Sequence, residues 1–235
     1  MRMKFKPWAR EELETSPFYI DTPQQCKNKW KTAFENEQEL HLELGCGKGN
    51  FIAQLSKQNQ NINYIAVDLV DAMLGMAKRN VEAAYGIRKS TVAEKIENEI
   101  EKQKVVKNLK LIRYDISRIS DIFGEQDEIR RIYINFCNPW PRGKHHKKRL
   151  THERQLEQYK KFLKGEIFFK TDDEELFNDT IKYFERSGYE IIKITRDLSN
   201  EENFWNGEQN VETEHEKMFK AEGIKIKALI AIEKQ

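Results

Sequence analysis

Residues 40–50 read Leu40-His41-Leu42-Glu43-Leu44-Gly45-Cys46-Gly47-Lys48-Gly49-Asn50. Leu40, Leu42 and Leu44 alternate with other side chains, the period of a strand. Gly45, Gly47 and Gly49 follow at every second position, and Phe51, Ile52 and Leu55 then take helical spacing. Strand, glycine turn and helix bring backbone close to a ligand, because glycine has no Cβ and tolerates positive φ. A second strand-like run, 62–67, ends in Asp68. A carboxylate at the tip of the second strand can accept both hydroxyl protons of a ribose.

Two ligands suit such a turn. A dinucleotide asks for Gly-x-Gly-x-x-Gly, which aims a helix N-terminus at a pyrophosphate. Here the spacing is Gly-x-Gly-x-Gly, and Glu43 precedes it. That carboxylate would repel a pyrophosphate and suit a cation. S-adenosylmethionine carries a sulfonium, an amino group and a ribose, and no phosphate. The stretch therefore resembles motif I of the class I methyltransferases.

The length, 235 residues, suits one α/β domain with a full core. A net charge of +2 means that any nucleic-acid site must come from a local patch and not from a bulk field. Cys26, Cys46 and Cys137 are scattered and odd in number, which points to a reducing compartment and away from a disulfide scaffold. Cys46 and Cys137 flank the glycine turn and the basic loop described below, and read as small buried residues at strand ends. No apolar run approaches a membrane span and no signal-peptide core opens the chain, so a cytoplasmic protein with no membrane partner is expected.

Residues 1–37 read as a polar N-terminal arm rich in basic and aromatic side chains, which either lies on the domain or touches phosphates; Pro7, Pro17 and Pro23 argue against a long helix there. The domain proper spans 38–235. The spacing predicts helices over 71–84, 90–104, 151–162 (with Thr151 as N-cap) and 174–186, the last stopped by Gly188. Strands are expected at 109–114, 130–136, 167–170, 189–194 and 224–232. Alternation of strands and helices implies a mostly parallel seven-stranded sheet with helices on both faces, a Rossmann-like α/β fold. No helix is evident between the last two strands, so the final strand is expected to run antiparallel. The connection 196–222 is longer than a turn needs and reads as functional.

In an open parallel sheet, ligands bind outside the carboxyl ends of the strands. Those ends hold Glu43, Asp68, Asp115, Asn138 and Asp172, with Asp115 placed to accept from an adenine amino group. After the fourth strand comes Asn138-Pro139-Trp140-Pro141-Arg142-Gly143-Lys144-His145-His146-Lys147-Lys148-Arg149. Two prolines stiffen a loop around a tryptophan, and a basic run follows. No carboxylate or cysteine stands at ligand spacing beside the histidines, so no metal is expected. The run reads as a phosphate clamp beside the methyl donor.

These residues carry a resemblance that runs nearly end to end. Lys6-Pro7-Trp8-Ala9, residues 42–49, the loop 138–150, Thr171-Asp172, and Thr213-Glu214-His215-Glu216 followed by Phe219 are similar to the bacterial tRNA (guanine-N7-)-methyltransferases. The resemblance implies methyl transfer from S-adenosylmethionine to N7 of a guanine in the tRNA variable loop, by a monomer or homodimer. It places Glu43, Gly45, Gly47, Gly49, Asp68, Asp115 and Asn138 at the donor, with Asn138 also at the catalytic position. Arg142, Asp172, Thr213, Glu214, His215 and Glu216 would bind the substrate, and Lys144, His145, His146, Lys147, Lys148 and Arg149 the RNA. Three positions depart from the family pattern, which usually has aspartate at 138, lysine at 142 and glutamate at 68. Asn138-Pro139-Trp140 also resembles the Asn-Pro-Pro-aromatic loop of enzymes that methylate exocyclic base amines. A non-catalytic RNA-binding module on the same fold is the third reading.

Overall fold

The computed structural model describes residues 5–87, 106–201, 203–205 and 210–234. Its strands are Tyr19–Ile20 (β1), Leu40–Leu44 (β2), Asn63–Asp68 (β3), Leu109–Arg113 (β4), Ile129–Asn135 (β5), Leu163–Thr171 (β6), Tyr189–Thr195 (β7) and Lys227–Glu233 (β8). They form one sheet in the order β1-β4-β3-β2-β5-β6-β8-β7. Every pairing is parallel except those of β8, which lies antiparallel between β6 and β7. The described helices are Trp8–Glu14 (α1), Asn50–Gln58 (α2), Asp71–Ala84 (α3), Glu153–Tyr159 (α4), Glu174–Arg186 (α5) and Glu214–Ala221 (α6).

The period-two pattern of β2 buries both faces. Leu40, Leu42 and Leu44 join one core with Ile65, Val67, Ile132 and Phe169. Tyr64, Ala66, Tyr133 and Phe168 point the other way, to a second core with Phe51, Ile52, Leu74 and Ala77. Helices cover both faces, as parallel sheets require.

The sheet has eight strands, where seven were expected. The extra one, β1, pairs only Tyr19 and Ile20 with Leu111 and Ile112, too short a run to show a period. The 196–222 connection does contain a helix, α6, and its start was written in the sequence: Thr213 and Glu216 form a reciprocal capping box. The cap of α4 is His152 and not Thr151, whose hydroxyl is buried against that of Thr180 at 2.7 Å. The helix expected over 90–104 falls outside the described residues.

The lead-in 5–37 lies on the domain and fills part of its core. Trp30 is fully buried, donates from Nε1 to the Ile122 carbonyl at 2.7 Å and stacks on Phe123. Buried Asp127 accepts from the backbone N–H groups of Asn28, Trp30 and Gly124. Ala9 packs on Gly75 of α3 so closely that a Cβ there would stand 2.7 Å from its own. Arg79 lies 3.4 Å from the Trp8 ring centroid, and Lys6 reaches Met76 Sδ. The Lys6-Pro7-Trp8-Ala9 stretch thus docks α1 on α3. Arg10 is held by Glu14, Tyr19 and Asp21.

Candidate active site

The strand order reverses between β2 and β5, and the crevice at their carboxyl ends is where open α/β sheets take ligands. The glycine turn leaves β2 there. Gly45 and Cys46 both donate to the Val67 carbonyl, which fastens the turn to β3. Gly49 has φ +70, and a Cβ on it would lie 2.6 Å from that of Ala77, so glycine is needed for conformation and for the approach of α3. Asp68 closes the turn, accepting from Gly47 N–H at 3.0 Å and Val70 N–H at 2.9 Å.

Glu43 is buried beneath this turn. Its Oε1 accepts from Asn135 Nδ2 at 3.4 Å, and its Oε2 has no partner among the described residues. Burial pushes the carboxyl up to about 8; Asn135 and Lys170 oppose that shift and Asp68 adds to it. A buried acceptor with nothing to accept from is costly. An ammonium group at this point would relieve it, so the residues present fit an amino-acid moiety.

Two open cavities meet at the turn. One, of about 810 Å³, is lined by Gly45, Asp68, Asp115, Phe136, Asn138, Trp140, Lys147 and Lys148 among others. The second, of about 420 Å³, is lined by Glu43, Gly45, Gly47, Gly49, Phe136, Thr213, Glu214 and His215 among others. Asp115 caps the next turn through a bond from Ser117 N–H at 2.9 Å. Asn138 is exposed, and its Oδ1 accepts from Trp140 N–H at 3.0 Å. Arg142, Lys144, His145, His146 and Asp172 line neither cavity.

Two residues of the expected site are committed elsewhere. Arg149 has no exposed side chain; it donates to the Pro139 carbonyl at 2.6 Å, to Asp179 at 2.6 Å and to Glu175 at 2.9 Å. It holds the tryptophan loop from beneath and is no phosphate clamp. Its guanidinium also supplies the positive charge that the neighbouring group His146, Glu175 and Asp179 could otherwise take from a metal. Glu216 is likewise fully buried. It accepts from Lys170 Nζ at 2.8 Å, from Asn210 at 2.7 Å and from Thr213 N–H at 3.3 Å. Thr213 and Glu216 therefore build the start of α6; Thr213 lines the second cavity, whereas Glu216 lines neither. Burial pulls Lys170 below the usual lysine range and Glu216 pushes it back. Glu214, the residue after Thr213, reaches Lys48 at 3.0 Å and Asn50, bridging α6 to the glycine turn.

Comparison with known proteins agrees with this geometry. Residues 37–229 match the family described as "Putative methyltransferase". A tRNA (guanine-N(7)-)-methyltransferase of Clostridium beijerinckii is 53% identical over 234 residues, 99% of either chain. The protein of that name from Acetivibrio thermocellus is 44% identical over the whole of both chains. The chain belongs to the tRNA (guanine-N(7)-)-methyltransferase family. Among solved structures, the 16S rRNA methyltransferase KamB aligns with a TM-score of 0.53 at 12% identity, covering 99% of this chain and 96% of that one, a likeness of fold.

For a member of this family, sequence reasoning overlooked Lys170, Asn135 and Phe136. The first stood inside a predicted strand, where a lone lysine in an apolar run (Ile167 to Thr171) was a legible sign of a buried partner. Asn135 and Phe136 stood at the end of the alternating strand expected over 130–136 and gave no separate signal.

Proposed function

We propose that this chain methylates N7 of a guanine in the variable loop of tRNA, with S-adenosylmethionine as donor, in the cytoplasm and as a monomer or homodimer. End-to-end likeness to proteins of that activity carries the reading. The unpartnered, buried Oε2 of Glu43 beneath the glycine turn supports the donor independently.

When bound, S-adenosylmethionine supplies an electrophilic methyl group on a sulfonium. Glu43 would accept from its amino group, Asp68 from the ribose hydroxyls, and Asp115 from the adenine amine. Guanine N7 has a lone pair and no proton, so no residue need act as a general base. The work left to the protein is alignment and tolerance of the cation that forms on the purine. Asn138 fits a positioning role. With its Oδ1 held by Trp140 N–H, its amide nitrogen is left to donate to guanine O6. Asp172 has a carboxylate for guanine N1–H and the exocyclic amine. Lys144, His145, His146, Lys147 and Lys148, with Arg142, would meet phosphates.

The same Asn138 bond weakens the exocyclic-amine reading, in which that oxygen must accept from the amine under attack. Labelled donor, an unmodified tRNA transcript and nucleoside digestion test the proposal. Label in 7-methylguanosine is expected. Label in an exocyclic methylamine would favour the rival enzyme, and donor binding with no transfer would leave a binding module. Asn138→Ala should lower turnover about tenfold, the low end of what mispositioning a reactant costs. A large gain in Asn138→Asp with no loss in Asn138→Ala would contradict the positioning role.

A further inference from the structure

Phe136 follows β5 directly at φ +49, a backbone conformation that bulky side chains rarely adopt. Its N–H donates to the Lys170 carbonyl at 2.9 Å, so pairing with β6 holds it there. Strain of this kind in a crevice invites a functional reading. The direction of the ring supplies one. Phe136 is shared by the walls of both cavities, with Gly45 and Met73. It therefore stands where a donor on one side must meet an acceptor on the other.

A second ring faces it. His215, exposed on the first turn of α6, stacks on Phe136 with centroids 5.7 Å apart and planes 25° apart. Phe219 leans on the pair at 5.8 Å from Phe136 and 6.1 Å from His215. Phe136 and His215 thus line one wall of the crevice with Phe219 packed against them, and the buried Lys170–Glu216 pair fixes the helix that carries His215 and Phe219.

We propose that Phe136 and His215 form the stacking platform of the target purine, turning its N7 edge toward the glycine turn. The inference rests on the reading of the site as a guanine-N7 methyltransferase and adds the surface that receives the base. A loop base taken out of its RNA stack is commonly received on aromatic side chains. Methylation at N7 leaves the purine positively charged, and an aromatic face attracts a cation. The platform then binds the purine more tightly as charge develops on it, which is the difference that raises turnover.

The test uses Phe136→Leu, His215→Ala and His215→Phe in the full chain. Turnover and KM would be measured with an unmodified tRNA transcript, tRNA Kd by filter binding, and donor-product Kd by calorimetry with S-adenosylhomocysteine. Phe136→Leu and His215→Ala should lower kcat/KM for tRNA by about tenfold to a hundredfold, the worth of one stacked base. His215→Phe should recover most of the loss, because a ring and not a polar group is needed. S-adenosylhomocysteine Kd should stay within about twofold of the wild type in all three, since stacking is charged to the RNA base alone. Parallel loss of S-adenosylhomocysteine affinity would overturn the proposal by making Phe136 a wall of the donor site. Equal damage from His215→Phe and His215→Ala would also overturn it. A wild-type chain that makes no 7-methylguanosine removes the underlying reading first, whereas normal wild-type transfer with silent variants removes the platform alone.

Discussion

The two halves of the site are built by different means. The donor half rests on local chain: one glycine turn, the strand before it and the carboxylate at the tip of the next. Its bonds join β2 to its neighbour β3, and its glycines act through backbone conformation. The acceptor half is held from a distance. Arg149 reaches Asp179 and Glu175 of α5, and Lys170 reaches Glu216 across the 196–222 connection. The lesson is that a charged residue in a motif can serve the motif's shape and never meet the ligand.

That contrast sets the order of expected effects. Lys170→Met should be the most damaging, because it strands a buried carboxylate; removing one partner of a buried pair costs about 3–5 kcal/mol. Urea unfolding measures it, and the double variant Lys170→Met/Glu216→Met should recover much of the loss. If the single variant is neutral, Lys170 does not hold the acceptor half.

Arg149→Met should cost less, about 2 kcal/mol, because Glu175 is exposed and can return to water while the Pro139 carbonyl and Asp179 lose their donor. The salt dependence of tRNA binding should not change. A lower salt slope would return Arg149 to the phosphate clamp.

Glu43 gives a proton-linked effect on the donor half. Its folded carboxyl titrates at about 8, above its ordinary 4.5, so the ligand-free folded state holds a proton that the unfolded chain has released. Its contribution to stability therefore declines as pH rises from about 4.5 towards 8, and Glu43→Gln should flatten that decline. An arriving ammonium favours the carboxylate, so binding S-adenosylhomocysteine at pH 7 should release about one proton. Calorimetry in buffers of different ionisation enthalpy reads this directly. Binding with no proton release would place the ammonium elsewhere.

The smallest effects belong to the exposed lysines. Replacing Lys144 or Lys147 with alanine should weaken tRNA binding without touching S-adenosylhomocysteine. The slope of log affinity against log salt should fall by about 0.7–0.9 for each phosphate that is no longer neutralised. Lys148, with its ammonium 4.8 Å from the Trp140 centroid, should in addition loosen that loop. An unchanged slope in all three would remove the clamp.

The legibility of the chain follows the same division. Residues 40–50 and 71–84 were readable because period and glycine spacing are short-range properties, and they formed the expected strand, turn and helices. The Asn138 to Arg149 run announced itself by charge, but charge could not reveal that α5 lies beneath Arg149. Thr213 to Glu216 held a legible capping box that the resemblance to a substrate motif concealed. Strand β1 had too few residues to be read at all.

The separation of the halves can be tested on one protein. Glu216→Gln keeps an N3 side chain able to cap α6 but removes the charge that balances Lys170. Below its unfolding temperature, this variant should bind S-adenosylhomocysteine within about twofold of the wild type and transfer methyl to tRNA at least about tenfold more slowly, as misplaced acceptor groups imply. Equal losses of S-adenosylhomocysteine affinity and transfer, or wild-type values for both, would contradict it.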